Sequence, residues 1–174
     1  MTKQRITVIR GDGIGPDIID SALQILDKVG CDFDYDFADA GLVALENHGE
    51  LLPQETLDLI AKNKVTLKGP LTTPVGEGFT SINVSLRKKF QLYANLRPVL
   101  SFKGTKARYE DIDIVTVREN TEGMYSGLGQ VVSEDGNEAE AMSKITRTGA
   151  ERILTYAYEM AIRDGRKKVT AVHK

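Results

Sequence analysis

One cysteine, two histidines and a net charge of −2 in 174 residues rule out several common chemistries at the start. The single thiol, Cys31, can form no internal disulfide and by itself no metal site. His48 closes an expected helix, and His173 has no second histidine at ligand spacing, so neither is expected to bind metal. The small net charge and a pI near 5.8 supply no general attraction to nucleic acid or anionic lipid. No apolar run approaches the roughly 18 residues a membrane-spanning helix needs. The first five residues lead straight into a strand pattern, without the apolar stretch of a secretory signal. Repeats and low-complexity tracts are missing too. The expectation is a cytoplasmic protein with no nucleic-acid or membrane partner. What remains is globular: 41% hydrophobic and 28% charged residues.

The pattern along the chain is α/β. Residues 5–9 form a β-branched run that ends at Gly11, which reads as a buried strand. Pro16 then opens a helix, where its missing N–H is harmless, and Gly30 stops it. Ile18, Ile19, Ala22, Leu23, Ile25, Leu26 and Val29 supply its expected buried face. Phe33, Tyr35 and Phe37 alternate with aspartates, as in a strand with one wet face. Strand, helix, strand is a βαβ start. Helices are expected over 41–48 and from Pro53, the latter burying Leu57, Leu59 or Ile60, and Ala61. Residues 64–68 return as a strand. After a glycine- and proline-rich loop come a helix over 83–90 and strands over 92–97 and 111–117. Residues 123–139 read as irregular loop or hairpin. Thr148 is expected to cap a helix through Arg163, and 168–173 to form a last strand of inner-strand composition. A parallel strand needs partners, so the sequence reads as cut within a domain. The domain boundary is expected near residue 99, giving units of 1–99 and 100–174.

The most telling chemistry is in three arginines, Arg87, Arg97 and Arg118, which follow a polar turn containing Thr72, Ser81 and Asn83. Each guanidinium is a planar fork that pairs bidentately with carboxylate or phosphate, so several gathered together suggest an oriented small polyanion. Gly11-Asp12-Gly13-Ile14-Gly15-Pro16 follows a strand and opens a helix, a setting for anion binding. Its spacing is not G-x-G-x-x-G and the proline removes a donor, so a Rossmann dinucleotide fingerprint is rejected. The glycines indicate a tight turn with close backbone approach. Asp32, Asp34 and Asp36 share a strand face about 7 Å apart, too far for one ion to gather them. With Asp39 they are read as solvated. Tyr125, in a glycine-rich loop, and Lys174, at the end of the last strand, could pass protons in enolate chemistry. Exposed phenol and exposed amine remain the alternative.

Taken together, Gly11-Asp12-Gly13-Ile14-Gly15-Pro16, residues 68–74 and 81–87, Leu96-Arg97-Pro98, Arg118-Glu119-Asn120-Thr121-Glu122, Tyr125-Ser126-Gly127 and Val172-His173-Lys174 resemble the β-decarboxylating dehydrogenases, the family of isocitrate, isopropylmalate and homoisocitrate dehydrogenases. The likeness is greatest to bacterial members that use isocitrate and NAD. It implies that family's α/β fold, incomplete here. It assigns the shared 2-hydroxy-1,3-dicarboxylate core of the substrates to Arg87, Arg97 and Arg118. Ser81 and Asn83 resemble the Ser-x-Asn pattern that donates to the third carboxylate of isocitrate. An isopropyl group would leave those donors unpaired, at about 1–3 kcal/mol each. Tyr125 resembles the residue that protonates the enolate, and Lys174 the one that takes the C2 hydroxyl proton. Ile14, Thr72 and Asn83 match positions near the nicotinamide end of NAD. The resemblance also implies Mg²⁺ or Mn²⁺, with ligands outside this chain, and a homo-oligomer with active sites shared between subunits. Family chains are about twice this length, so the chain alone is expected to be inactive. A non-catalytic regulatory homologue, and an enzyme acting on homoisocitrate or isopropylmalate, are the alternatives.

Overall fold

The computed structural model describes residues 3–72 and 81–173, and for Tyr125 the backbone alone. Packing divides the chain into two units, Met1–Leu86 and Arg87–Lys174. The division falls earlier than the expected residue 99, for a physical reason. A cut at 99 would bisect the strand Ala94–Leu100, whose ladder partners all follow it in sequence.

The first unit is built on a three-stranded parallel sheet. Strand β1 (Gln4–Ile9) is central, paired on one side with β2 (Phe33–Phe37) and on the other with β3 (Thr66–Lys68). Helix α1 (Gly15–Lys28) links β1 to β2, and α2 (Leu42–His48) and α3 (Gln54–Asn63) lead across to β3. The core joins Ile6 and Val8 of β1 to Ile19 and Leu23 of α1, with Leu26, Phe33, Tyr35 and Leu67 packed around them. The buried stripe of α1 is therefore narrower than its apolar sequence. Ile18, Ile25 and Val29, expected inside, are exposed on a second stripe. Ala61 of α3 is exposed as well. Strand β3 starts two residues late because Lys64 takes a left-handed conformation as the C-cap of α3.

Buried Asn63 was not anticipated. It donates to the Thr7 hydroxyl and to Asp36 Oδ2, each at 3.0 Å. The aspartates of β2 and its approach are taken up by cations: Lys3 meets Asp32 at 2.5 Å, and Arg5 meets Asp36 at 2.7 Å and Asp34 at 3.8 Å. Asp39 accepts from Asn47 and lies 3.2 Å from His48 Nε2.

The second unit carries the antiparallel pair β4 (Ala94–Leu100) and β5 (Asp113–Glu119), then a 3-10 turn at Met124–Ser126. A small hairpin of β6 (Val131–Val132) and β7 (Ala139–Glu140) occupies the segment read as loop or hairpin. Helix α5 (Arg147–Arg163) packs on β5, and Tyr93 meets Tyr156 edge-on at 6.2 Å. Its N-cap is Thr146, not the expected Thr148: the Thr146 hydroxyl accepts from Gly149 N at 3.0 Å. The last strand, expected over 168–173, is not formed. No described strand pairs with these residues, and Val172 is 91% exposed. In chain order, α4 (Ile82–Lys89) falls between the two sheets, and its last three residues belong to the second unit.

Candidate active site

In a parallel sheet, ligands bind beyond the carboxyl ends of the strands, where successive connections leave in opposite directions. Here the chain moves from β1 to β2 on one side and then crosses to β3 on the other. The switch point therefore lies between β1 and β3. Two loops meet there without side chains between them. Gly11 has φ +80, and a Cβ on it would collide with the Pro70 carbonyl; one on Gly69 would collide with the Arg10 carbonyl. Asp12 N donates to Pro70 O at 2.8 Å, and Gly69 N to Ile9 O at 2.8 Å. This is the tight turn that the glycines foretell. It places Ile14, 69% exposed, on one loop and Thr72, also exposed, on the other. The Thr72 amide is fixed by a 2.7 Å bond to Asp12 Oδ2.

Helix α4 presents the next group. Ser81 stands at its start, with its carbonyl accepting from Ser85 N at 3.0 Å, and is half-buried. Asn83 lies in the first turn, near the positive end of the helix, where a carboxylate is favoured. Arg87 follows four residues later, so it shares a helical face with Asn83. Ser81 precedes the first helical residue, so the helical period does not set its direction relative to Asn83. Thr73 and Pro74, part of the motif at 68–74, lie outside the described residues.

The second unit brings Arg97 and Arg118 together. In the β4–β5 ladder Asn95 is opposite Arg118 and Arg97 is opposite Thr116. Arg97 is thus the diagonal neighbour of Arg118 on one face of the ribbon, roughly 7–8 Å away. Its Nε reaches Asn95 Oδ1 at 3.4 Å. The segment after Arg118 is held down by α5. Glu119 accepts from Thr121 N at 2.9 Å, Thr121 Oγ1 at 2.6 Å and Glu122 N at 2.7 Å. Arg152 donates to Thr121 Oγ1 at 2.5 Å and to Glu119 Oε1 at 3.3 Å, with its guanidinium 4.8 Å above the Tyr93 ring. Burial pushes the Glu119 carboxyl up, but the Thr121, Glu122 and Arg152 donors outweigh it and leave it below the ordinary range. Glu122 in turn accepts from Thr146 N at 2.9 Å and the Thr146 hydroxyl at 2.6 Å, at the mouth of α5. The turn carrying Tyr125 is tied by Lys88 Nζ to Ser126 O at 3.0 Å and by Gly123 N to Lys144 O at 2.8 Å. The Tyr125 side chain and Lys174 lie outside the described residues.

Comparison with known proteins decides the family. The family model for isocitrate/isopropylmalate dehydrogenase matches residues 5–174. The chain belongs to the isocitrate/isopropylmalate dehydrogenase family. It is 43% identical over 173 residues to a mitochondrial catalytic subunit of NAD isocitrate dehydrogenase from Arabidopsis thaliana, covering 99% of this chain and 46% of that protein. It is 44% identical over 172 residues to a mitochondrial regulatory subunit of NAD isocitrate dehydrogenase from Dictyostelium discoideum, covering 98% and 46%. Among solved structures, isocitrate dehydrogenase from Methylococcus capsulatus superposes with a TM-score of 0.86 at 47% identity, covering 94% of this chain and 49% of that one. The fold is therefore that of the isocitrate/isopropylmalate dehydrogenase family. The chain spans about half the length of these relatives.

Within this family member, sequence reasoning missed the residues that hold the site's loops: Asp12, Glu119, Glu122 and Arg152. Asp12, Glu119 and Glu122 stand inside the motifs that carry the family resemblance, though without a role assigned there, and Arg152 left no trace. Among the described residues, no three histidine, cysteine, aspartate or glutamate side chains converge as a metal site. The divalent ion that the family resemblance implies therefore finds no ligand set in them.

Proposed function

We propose that the protein oxidises and decarboxylates isocitrate to 2-oxoglutarate with NAD as the hydride acceptor, and that this chain supplies its substrate arginines and its nicotinamide-side loops. The observation that supports the reading is the β4–β5 register, in which Arg97 and Arg118 are diagonal neighbours on one ribbon face. Two such forks suit two carboxylates of one substrate. Arg87 would add a third, and Ser81 and Asn83 would donate to the arm that distinguishes isocitrate. Ile14 would offer an apolar surface, and Thr72 a hydroxyl, to the nicotinamide end. When bound, NAD takes the C2 hydride. Lys174 is proposed to accept the C2 hydroxyl proton and Tyr125 to return a proton to the enolate carbon after CO₂ leaves.

The test uses the full-length protein: NADH formation with isocitrate, against isopropylmalate and homoisocitrate, and with NADP in place of NAD. Preference for isocitrate and NAD is expected; preference for isopropylmalate would overturn the substrate reading. The 174-residue chain alone is proposed to be inactive, and isocitrate-dependent NADH from it would contradict that.

A regulatory role is the second reading, because the chain is as similar to a protein named regulatory as to one named catalytic. Retention of Tyr125, Lys174, Ser81 and all three arginines supports the catalytic reading. The relatives' names speak of catalytic and regulatory subunits, which favours an assembly of unlike chains over the expected homo-oligomer. The cytoplasmic location proposed from the sequence is separate from those names, which read mitochondrial.

A further inference from the structure

Asp12 stands in a glycine turn, where an aspartate needs no special explanation, yet it is only 6% exposed. Every polar atom it has is engaged. Its Oδ1 accepts from Val43 N at 3.2 Å and its Oδ2 from Thr72 N at 2.7 Å. Its backbone N–H donates to Pro70 O at 2.8 Å, and its carbonyl accepts from Gly15 N at 2.9 Å. One side chain thus joins the β1–α1 turn, the first turn of α2 and the segment after β3. These three loops lie at the carboxyl ends of the three parallel strands.

The α2 contact shows why the side chain must come from outside that helix. Its N-cap is Gly41, with φ +84 and no side chain to cap with. A Cβ on Gly41 would collide with the Asp12 carboxylate. Asp12 therefore supplies the capping oxygen, and a negative charge, to the positive end of α2. Its second oxygen holds Thr72 at the β1/β3 switch point.

We infer that Asp12 is a positioning residue, clamping the Thr72 backbone and the start of α2 against the β1–α1 turn so that the switch-point crevice is ready-shaped for the nicotinamide end of the cofactor. The inference rests on the NAD reading above for the identity of that ligand. Both groups facing the carboxylate are N–H donors, so asparagine is a sharp probe. Asp12→Asn keeps the volume but turns an NH₂ toward one of the two amides, replacing a charge-assisted bond with a donor facing a donor.

In the full-length protein, NAD affinity is measured by isothermal titration calorimetry, KM for NAD and for isocitrate by steady-state kinetics, and amide exchange at Thr72 and Val43 by mass spectrometry. Asp12→Asn is expected to weaken NAD binding and raise KM for NAD by about tenfold. KM for isocitrate at saturating NAD should stay within about twofold, with faster exchange at Thr72. Asp12→Glu, too long to fit against Gly41, should not rescue. A variant that loses thermal stability but binds NAD like the wild type would overturn the inference, since the role would then be structural only. Unchanged affinity with accelerated Thr72 exchange would overturn it equally. If the wild type binds NAD but ignores isocitrate, the substrate reading falls and the calorimetry still decides Asp12. If the wild type does not bind NAD, both fall.

Discussion

Replacing Arg152 with methionine removes the fork that pins the segment after Arg118, while the apolar stem stays packed. The guanidinium donates to Thr121 Oγ1 at 2.5 Å, to Glu119 Oε1 at 3.3 Å and to Gln91 Oε1 at 3.3 Å. The Arg152 and Glu119 side chains are 27% and 23% exposed, so the pair is neither a solvated surface bridge nor fully buried. The charge-assisted bond to Thr121 contributes about 1.5–3 kcal/mol. Stacking over Tyr93 contributes about 0.5–1 kcal/mol. Against these, Arg152 Nε is buried without a partner among the described residues, an expense of about 1–3 kcal/mol that methionine relieves. The net expectation is a loss of about 1 kcal/mol. Arg152→Lys keeps the charge but not the fork, and should recover no more than half. Equilibrium urea unfolding of the full-length protein reads the stability, and KM for isocitrate reads the displacement of Arg118, the neighbour of Glu119. A methionine variant within about 0.5 kcal/mol of wild type, with unchanged KM, would refute the reasoning.

Three further outcomes follow from the same geometry. Gly149→Ala should destabilise by about 1–3 kcal/mol despite alanine's better helix propensity, because its Cβ would displace the Glu122 carboxylate from Thr146; an equal or higher urea midpoint would contradict this. Glu119 is held below its ordinary value of 4.5 in the folded protein, so its contribution is in place above that pH and is lost as pH falls through the lower folded value. Glu119→Gln should therefore flatten the acid limb of a stability-versus-pH curve below about pH 4.5, and an unaltered limb would remove the argument. Ser81→Leu in the full-length protein should shift preference from isocitrate toward more apolar malates, and an unchanged ratio of kcat/KM values would count against Ser81 as a selector.

Elements with a strong local signal could be read from the sequence. Strand β2 spans the alternating run Phe33–Phe37, and Gly49 ends α2 in a left-handed C-cap as glycine there implies. Errors arose where a non-local partner decides. Ile18, Ile25 and Val29 fit the helical period as well as Ile19 and Leu23 do, but the three-stranded sheet covers only one stripe. Residues 168–173 have strand composition, yet a strand exists only through its neighbours. The α5 cap shifted from Thr148 to Thr146 because the Glu122 carboxylate, remote in sequence, meets Thr146. Arg97 and Arg118 could be singled out for their chemistry, but their sharing of a face depends on a ladder register that no local pattern dictates.

The carboxylates whose roles the sequence did not disclose have one physical function in common. The loops that carry Ile14 and Thr72, and the segment between Glu119 and the turn of Tyr125, lie outside the regular strands and helices, so left alone they would sample many shapes. Each is ordered by a carboxylate that accepts from backbone N–H groups: Asp12 for Thr72 and α2, Glu119 for Thr121 and Glu122, Glu122 for Thr146. A carboxylate suits this work because it accepts several bonds and donates none. The same property makes amide substitution the discriminating perturbation at each position, since it preserves shape and inverts one hydrogen bond. Sensitivity to Asp→Asn and Glu→Gln should therefore extend to residues that touch no ligand. Arginine contacts, by contrast, should be sensitive chiefly to loss of the fork, so the two classes of variant separate a positioning defect from a recognition defect.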